Sequence, residues 1–206
     1  MYKNYIKRLI DLSIAFVGVL VFSPAIIIIS LLIVLESKGG VFFLQKRIGR
    51  EMKPFNIIKF RTMVKNAEKQ GQGVFTSKND SRVTKVGALL RKFSLDEIPQ
   101  LFNVFIGNMS VIGPRPPVIY HPYKLDAYPE EFKPRFNIKP GITGLAQISG
   151  RTNIQWEKRF EYDLVYEKNI SFTEDLKIFF KTVIKVFKSE EVIPSEEHIK
   201  KHHKLK

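Results

Sequence analysis

The stretch Leu12–Leu35 carries no charged residue, and a Ser23-Pro24 pair stands at its middle. Lys3, Lys7 and Arg8 precede it; Lys38, Lys46 and Arg47 follow it. As one straight helix it is long enough to cross a bilayer, which takes about 20 apolar residues. Pro24, however, removes a backbone donor and crowds the carbonyl four residues back, and it biases Ser23 away from helical angles. The helix is therefore expected to kink or break there. Each arm then holds about 11 residues, roughly 16 Å of helix, or half of a ~30 Å hydrocarbon core. Cationic flanks favour the cytoplasmic side. A hairpin that enters and leaves by one face puts both flanks there, whereas a straight span puts only one. Residues 1–36 thus read as a re-entrant membrane anchor, with a single kinked span as the alternative, since Pro is tolerated in spanning helices.

The other sequence properties narrow the function. At 206 residues the chain allows one domain with a sizeable core. No second long apolar run exists, which keeps the bulk of the chain on one side of a membrane. Glu36, Ser37 and Lys38 offer no small-x-small cleavage site, so a removable signal is not expected. Cysteine is absent, which excludes disulfides and thiolate metal sites and fits a reducing compartment. The net charge of +14 implies an anionic partner. Nucleic acid, an anionic leaflet, nucleotide diphosphates and lipid phosphates all qualify. The apolar segment turns this reading toward inner-leaflet anionic lipid and away from nucleic acid, and the 17 phenylalanines suit an interface.

Along the chain, Val41–Leu44 and Phe55–Phe60 read as a small β-hairpin. Asn66–Asp80, with Gly71 and Gly73, reads as a mobile loop. Val86–Phe93 and Leu101–Ile106 are expected to be helical. The Pro- and Gly-dense segments Gly107–Pro122 and Lys139–Gly144 form stiff loops that expose backbone amides, as ligand sites require. Trp156–Tyr166 forms a helix, and another runs over Phe172–Lys188. Ser171 and Glu174 make a capping-box pair at its start. Lys177, Lys181, Lys185 and Lys188 share one face of it, with Leu176, Phe179, Phe180, Val183, Ile184 and Phe187 over most of the rest. Such a helix lies on a membrane surface or packs with a solvated lysine face. The fold class is a helix-dominated α+β domain with amphipathic interfacial helices. Its parts are an anchor over 1–36, a cytoplasmic catalytic domain over 37–190 and a charged flexible tail over 191–206, whose His198, His202 and His203 are solvated.

The chemistry concentrates in Arg91–Asn103. Asp96 and Glu97 precede Pro99, and proline favours a first helical turn. Both carboxylates then lie near a positive dipole end that favours their ionised forms. One of them can attack phosphorus to form an aspartyl phosphate. The other can hold Mg²⁺, an ion that binds oxygen ligands and substrate phosphates. Ser94 and Glu97 equally match a capping box, which needs no chemistry. The cationic supply favours the chemical reading. Arg91, Arg115 in Gly-Pro-Arg-Pro-Pro and Arg151 after Gly150 present guanidinium groups suited to bidentate phosphate binding, and phosphoryl transfer is catalysed mainly by such positioning and neutralisation. No phosphate-loop or dinucleotide glycine motif and no Gly-x-Ser-x-Gly elbow is present. His121 is the only histidine ahead of the tail, better placed for a structural or binding role than as a base.

Several segments taken together resemble one family. Lys59-Phe-Arg-Thr-Met63, Ser94-Leu-Asp-Glu-Ile-Pro-Gln-Leu-Phe-Asn-Val104, Met109-Ser-Val-Ile-Gly-Pro-Arg-Pro116 and Lys139-Pro-Gly-Ile-Thr-Gly-Leu-Ala-Gln-Ile-Ser-Gly-Arg151 are similar to the motifs of bacterial sugar transferases, the small monotopic phosphoglycosyl transferases. The resemblance runs from the anchor to about Phe187. It implies a re-entrant helix broken at Ser23-Pro24, lodged in the bacterial inner membrane with the catalytic domain facing the cytoplasm. It implies a UDP-sugar donor, an undecaprenyl phosphate acceptor and a ping-pong reaction in which Asp96 attacks the sugar-bearing phosphate and expels UMP. Glu97 is then its partner at Mg²⁺, with Asp96 also at the metal, and Lys59, Arg91, Arg115 and Arg151 are the candidate substrate-binding residues. No motif sets the sugar or the oligomeric state. Two rivals remain: a membrane-tethered basic binding protein without catalysis, and direct attack by polyprenyl phosphate with Asp96 only binding metal.

Overall fold

Pro24 does not end the first helix. In the computed structural model, which describes residues 1–67, 80–150 and 155–187, α1 runs over Lys7–Glu36 with Pro24 inside it, preceded by a π-helical turn at Tyr2–Ile6. The missing Pro24 N–H leaves the Leu20 carbonyl without its helical donor. The Ser23 hydroxyl donates to that carbonyl at 2.8 Å, so the chain stays helical through the Ser-Pro pair. Tyr2–Glu36 is long and apolar enough to cross a membrane, an 18-residue stretch of it reaching a mean hydropathy of 2.9, and most of its apolar side chains, among them Phe16, Leu20, Ile27, Ile28 and Leu31, are exposed.

Each arm of α1 also forms part of the core. On the N-terminal arm Ala15 is fully buried in a cluster with Val104, Met109, Ile112, Tyr166 and Ile178. On the C-terminal arm Ile29 and Ile33 pack with Phe60 and Leu90. Polar ties reinforce the seat. Asp11 Oδ1 accepts from the Ser110 hydroxyl at 3.0 Å and the Val111 N–H at 2.9 Å. Lys7 and the Tyr2 hydroxyl converge on Asp175, which also receives the Tyr166 hydroxyl. At the far end Arg61 donates to Ser37 and to the Gly40 carbonyl.

The hairpin pairs β1 (Phe42–Ile48) with β2 (Pro54–Phe60) in antiparallel register, Phe42 opposite Phe60 and Leu44 opposite Ile58. Then come α2 (Lys85–Lys92) and α3 (Gln100–Ile106). Two three-residue strands, β3 (Ser110–Ile112) and β4 (Gly141–Thr143), pair in parallel and tie the proline-rich loop to the Lys139–Gly144 loop. This pairing has no periodicity in the sequence, because strands so short show no alternation. The chain closes with α4 (Leu145–Gly150), α5 (Trp156–Lys168) and α6 (Phe172–Phe187). The Ser171 hydroxyl accepts from the Glu174 N–H at 3.3 Å, half of the expected capping box. Phe172, Leu176, Phe180 and Ile184 on α6 are exposed, beside Lys177 and Lys181. The greater part of the Asn66–Asp80 loop, Lys188 and the 191–206 tail lie outside the described residues.

Candidate active site

Ser94 sets the site's backbone. It has φ +55, a left-handed conformation, and its side chain caps nothing. The chain turns sharply there from α2 into a 3₁₀ turn at Leu95–Glu97, and Pro99 then caps α3. The capping-box reading of Ser94 and Glu97 is therefore not what forms. Glu97 is engaged elsewhere.

Cations from other elements converge on Glu97. Lys59, near the end of β2, places Nζ 2.7 Å from Glu97 Oε1 and 3.8 Å from Asp96 Oδ2. Arg115, after β3, places Nη2 2.6 Å from Oε1 and Nη1 3.4 Å from Oε2 of the same carboxylate. Asp96 accepts no hydrogen bond from any described residue, and its side chain is 15% exposed. Arg91 reaches the site from α2, its Nε donating to Thr62 Oγ1 at 2.9 Å. Gly87 makes that approach possible, since a Cβ there would stand 2.1 Å from the Thr62 carbonyl oxygen. Arg151 lies outside the described residues.

The neighbouring carboxylates are pushed in opposite directions. Burial opposes charge on Glu97, but Arg115 and Lys59 outweigh it and hold this carboxyl below the usual range. Burial raises Asp96; Lys59 pulls it back and the Glu97 charge pushes it further up. Glu97 in turn raises the Arg115 guanidinium. Carboxyl groups whose environments drive them apart are suited to different tasks. Glu97 is a fixed anion. Asp96 keeps carboxylate lone pairs that no described donor occupies, and a carboxylate so placed can attack an electrophilic phosphorus.

The donor set also fits a magnesium ion. Mg²⁺ takes oxygen ligands, commonly one or two carboxylates together with waters and substrate phosphates. Asp96 and Glu97 supply that number. Among the described residues no third acidic or histidine side chain joins them in a metal-sized cluster, so phosphate and water would complete the shell.

A supporting pair escaped the sequence. Arg135, 2% exposed, donates twice to Asp163 Oδ2, at 3.0 and 2.7 Å, and from Nη2 to the Arg115 carbonyl at 2.8 Å. Its guanidinium lies between the Phe136 and Phe160 rings. This pair fixes the backbone from which Arg115 reaches Glu97. Arg159 stacks on Trp156 nearby, and burial together with Arg115 lowers its pKa to about 10. The one available signal was Asp163 itself, an acid in register with Phe160 and Tyr166 on the buried face of α5.

Known proteins resemble the chain over most of its length. The model of the bacterial sugar transferase family matches residues 2–189. An uncharacterized sugar transferase, EpsL, of Bacillus subtilis is 45% identical over 186 residues, covering 90% of this chain and 89% of its own. A UDP-glucose:undecaprenyl-phosphate glucose-1-phosphate transferase of Klebsiella pneumoniae is 44% identical over 186 residues, covering 88% of this chain but 40% of its own. A UDP-N-acetylgalactosamine-undecaprenyl-phosphate N-acetylgalactosaminephosphotransferase of Aeromonas hydrophila is 40% identical, over 87% and 43% respectively. The chain thus spans nearly all of one relative and well under half of the other two. With the family model covering almost its whole length, this chain belongs to the bacterial sugar transferase family.

Proposed function

We propose that the chain is a phosphoglycosyl transferase that moves a sugar 1-phosphate from a UDP-sugar to undecaprenyl phosphate and releases UMP. The carrying observation is Asp96: a largely but not fully buried carboxylate without a hydrogen-bond donor among the described residues, beside a Glu97 already held by Lys59 and Arg115. The relatives' names supply the substrate class.

In the first step an Asp96 carboxylate oxygen forms a bond to the sugar-bearing phosphorus. The bridging P–O bond of the diphosphate breaks, and its electron pair leaves on UMP. In the second step a phosphate oxygen of undecaprenyl phosphate attacks the same phosphorus, the Asp96–phosphorus bond breaks, and the carboxylate returns with the lipid diphosphate sugar as product. Splitting the exchange this way pairs one anionic attacker with each displacement. Lys59 and Arg115 stabilise charge that builds on the phosphoryl oxygens, and Arg91 steadies ionised Asp96 from α2. Mg²⁺ held by Asp96 and Glu97 would neutralise the donor's diphosphate.

The apolar helix is the membrane element, and the reading of it is re-entrant. Its N-terminal arm packs on Val104 and Met109, and its C-terminal arm on Phe60 and Leu90. Both arms thus seat on one catalytic domain while the faces between them stay apolar and exposed. The cationic flanks favour a position for that domain on the cytoplasmic side of the bacterial inner membrane. A lipid acceptor and a water-soluble nucleotide sugar then meet at the headgroup level.

The test is UMP release from a panel of UDP-sugars with undecaprenyl phosphate and Mg²⁺, with the intact mass of the protein read after donor alone. Turnover with at least one sugar and a sugar-phosphate adduct on the chain are expected. Turnover without any adduct would favour direct attack, and silence across the panel from folded protein would reject the function.

A further inference from the structure

Outside the active site, a second group of cations gathers at the other end of α3. That helix ends at Gly107, whose φ of +103 only glycine adopts comfortably. A Cβ there would stand 3.5 Å from Arg8 Nη2 and 3.7 Å from Lys139 Nζ. The absent side chain therefore leaves a notch that a guanidinium and an ammonium both face. Arg8 is fixed by donating to the carbonyls of Val104 at 2.7 Å and Phe105 at 3.1 Å. Lys139 makes no hydrogen bond or ion pair with any described residue. Burial and the Arg8 charge both lower its pKa, and Arg50 adds to them. Among the described residues, the carboxylate acting on it is that of Asp11, a buried side chain whose Oδ1 is committed to Ser110 and Val111. The notch is therefore short of negative charge.

Its rim is apolar. Phe105 and Ile106 are exposed at the end of α3, and Leu9 is exposed on α1 next to Arg8. α3 is seven residues long, so roughly 10 Å of helix separates the notch from the turn that carries Asp96. Two cations whose nearest carboxylate is buried and already hydrogen-bonded, with exposed aliphatic and aromatic residues adjoining them along the chain, match a lipid: phosphate over the charges and acyl chains along the apolar residues.

We propose that Arg8, Lys139 and the Gly107 notch form a binding site for the phosphate of an anionic phospholipid headgroup, separate from the catalytic centre. The site rests on the reading of α1 as the membrane element. Its occupant fastens the entry of α1 to the end of α3 and so sets the depth at which the domain rides in the leaflet.

The experiment uses the full chain in neutral detergent. Thermal unfolding is followed during titration with phosphatidylglycerol, phosphatidylcholine, undecaprenyl phosphate and inorganic phosphate, for the native chain, Lys139→Glu and a control reversal at exposed Lys158. A rise in Tm with phosphatidylglycerol that exceeds that with phosphatidylcholine, kept in Lys158→Glu, is expected. In Lys139→Glu the half-saturating phosphatidylglycerol concentration should rise at least about fivefold. Because Lys139→Glu can weaken the fold, its Tm without lipid and the milder Lys139→Met are measured alongside, and the same weakening is expected in Lys139→Met. An equal phosphatidylglycerol response in native and Lys139→Met chains overturns the site. So does a Tm rise with inorganic phosphate equal to that with lipid, or a response confined to undecaprenyl phosphate. Flotation of the native chain with neutral liposomes tests the anchor separately; failure to float overturns the membrane reading on which the site depends.

Discussion

At the scale of single residues, the division of labour proposed for Asp96 as nucleophile and Glu97 as fixed anion makes sharp predictions. Asp96→Asn keeps the shape but loses the nucleophile, so UMP release should fall by on the order of a thousandfold or more while the protein stays folded. Asp96 is raised by burial and held back by Lys59. A nucleophile must be ionised, so activity should decline on the acid side at a pH above the ordinary carboxylate range. Lys59→Met removes the lowering charge, and this acid limb should move to higher pH; a pH profile of single-turnover UMP release measures it. The signs for stability are opposite for the pair. Ionised Glu97, depressed by Arg115 and Lys59, contributes stability that is full above its unfolded pKa and is lost progressively as pH falls from there through its folded value. Asp96, raised, favours the fold at low pH and costs stability as pH rises through its folded value. The sequence made Asp96 and Glu97 legible because they sit in one contiguous motif. It did not reveal that Glu97 would be held by Lys59, 38 residues away, or that Ser94 would turn left-handed instead of capping.

At the scale of elements, short pieces carry the precision. The pair of three-residue strands, β3 and β4, and the Arg135–Asp163 bond hold the loop from which Arg115 extends. Their partners are distant in sequence and their segments lack period, so composition could only mark them as stiff loops. Longer elements, the hairpin and α2, α3, α5 and α6, were visible through alternation or helical spacing. Asp163→Ala leaves the buried Arg135 guanidinium unpaired. It should cost about 3–5 kcal/mol of stability, seen as a large drop in Tm, and should raise KM for the donor as Arg115 loses its backbone support. In α1 the Ser23 hydroxyl occupies the carbonyl that Pro24 orphans. Replacing both with alanine restores a regular helix, so a portion of chains should adopt a straight span. Accessibility of a cysteine introduced by Lys3→Cys, probed from each side of sealed vesicles, reports that change, and the native Ser-Pro pair should show labelling from one side only.

At the scale of the whole molecule, the exposed apolar surface extends beyond α1. Phe172, Leu176, Phe180 and Ile184 on α6 are exposed, as are Phe105 and Ile106 on α3. An exposed apolar face flanked by lysines belongs at an interface. Phe180→Glu should spare the first half-reaction, read as one burst of UMP from donor alone. Steady turnover with undecaprenyl phosphate in vesicles should drop several-fold to about tenfold, as the domain sits less well on the bilayer. The charge of +14 and the uncharged N-terminal stretch were plain in the sequence; which helical faces stay bare was not, because a basic amphipathic helix reads alike whether it meets lipid or water. The seating of α1 has a practical corollary. Ala15 on one arm and Ile29 and Ile33 on the other complete two of the protein's apolar clusters. Trimming away the first 36 residues would therefore not liberate a soluble enzyme but strip a wall from it. Anyone wanting this catalyst in water must instead repaint its greasy exterior, residue by residue, and leave the beam in place.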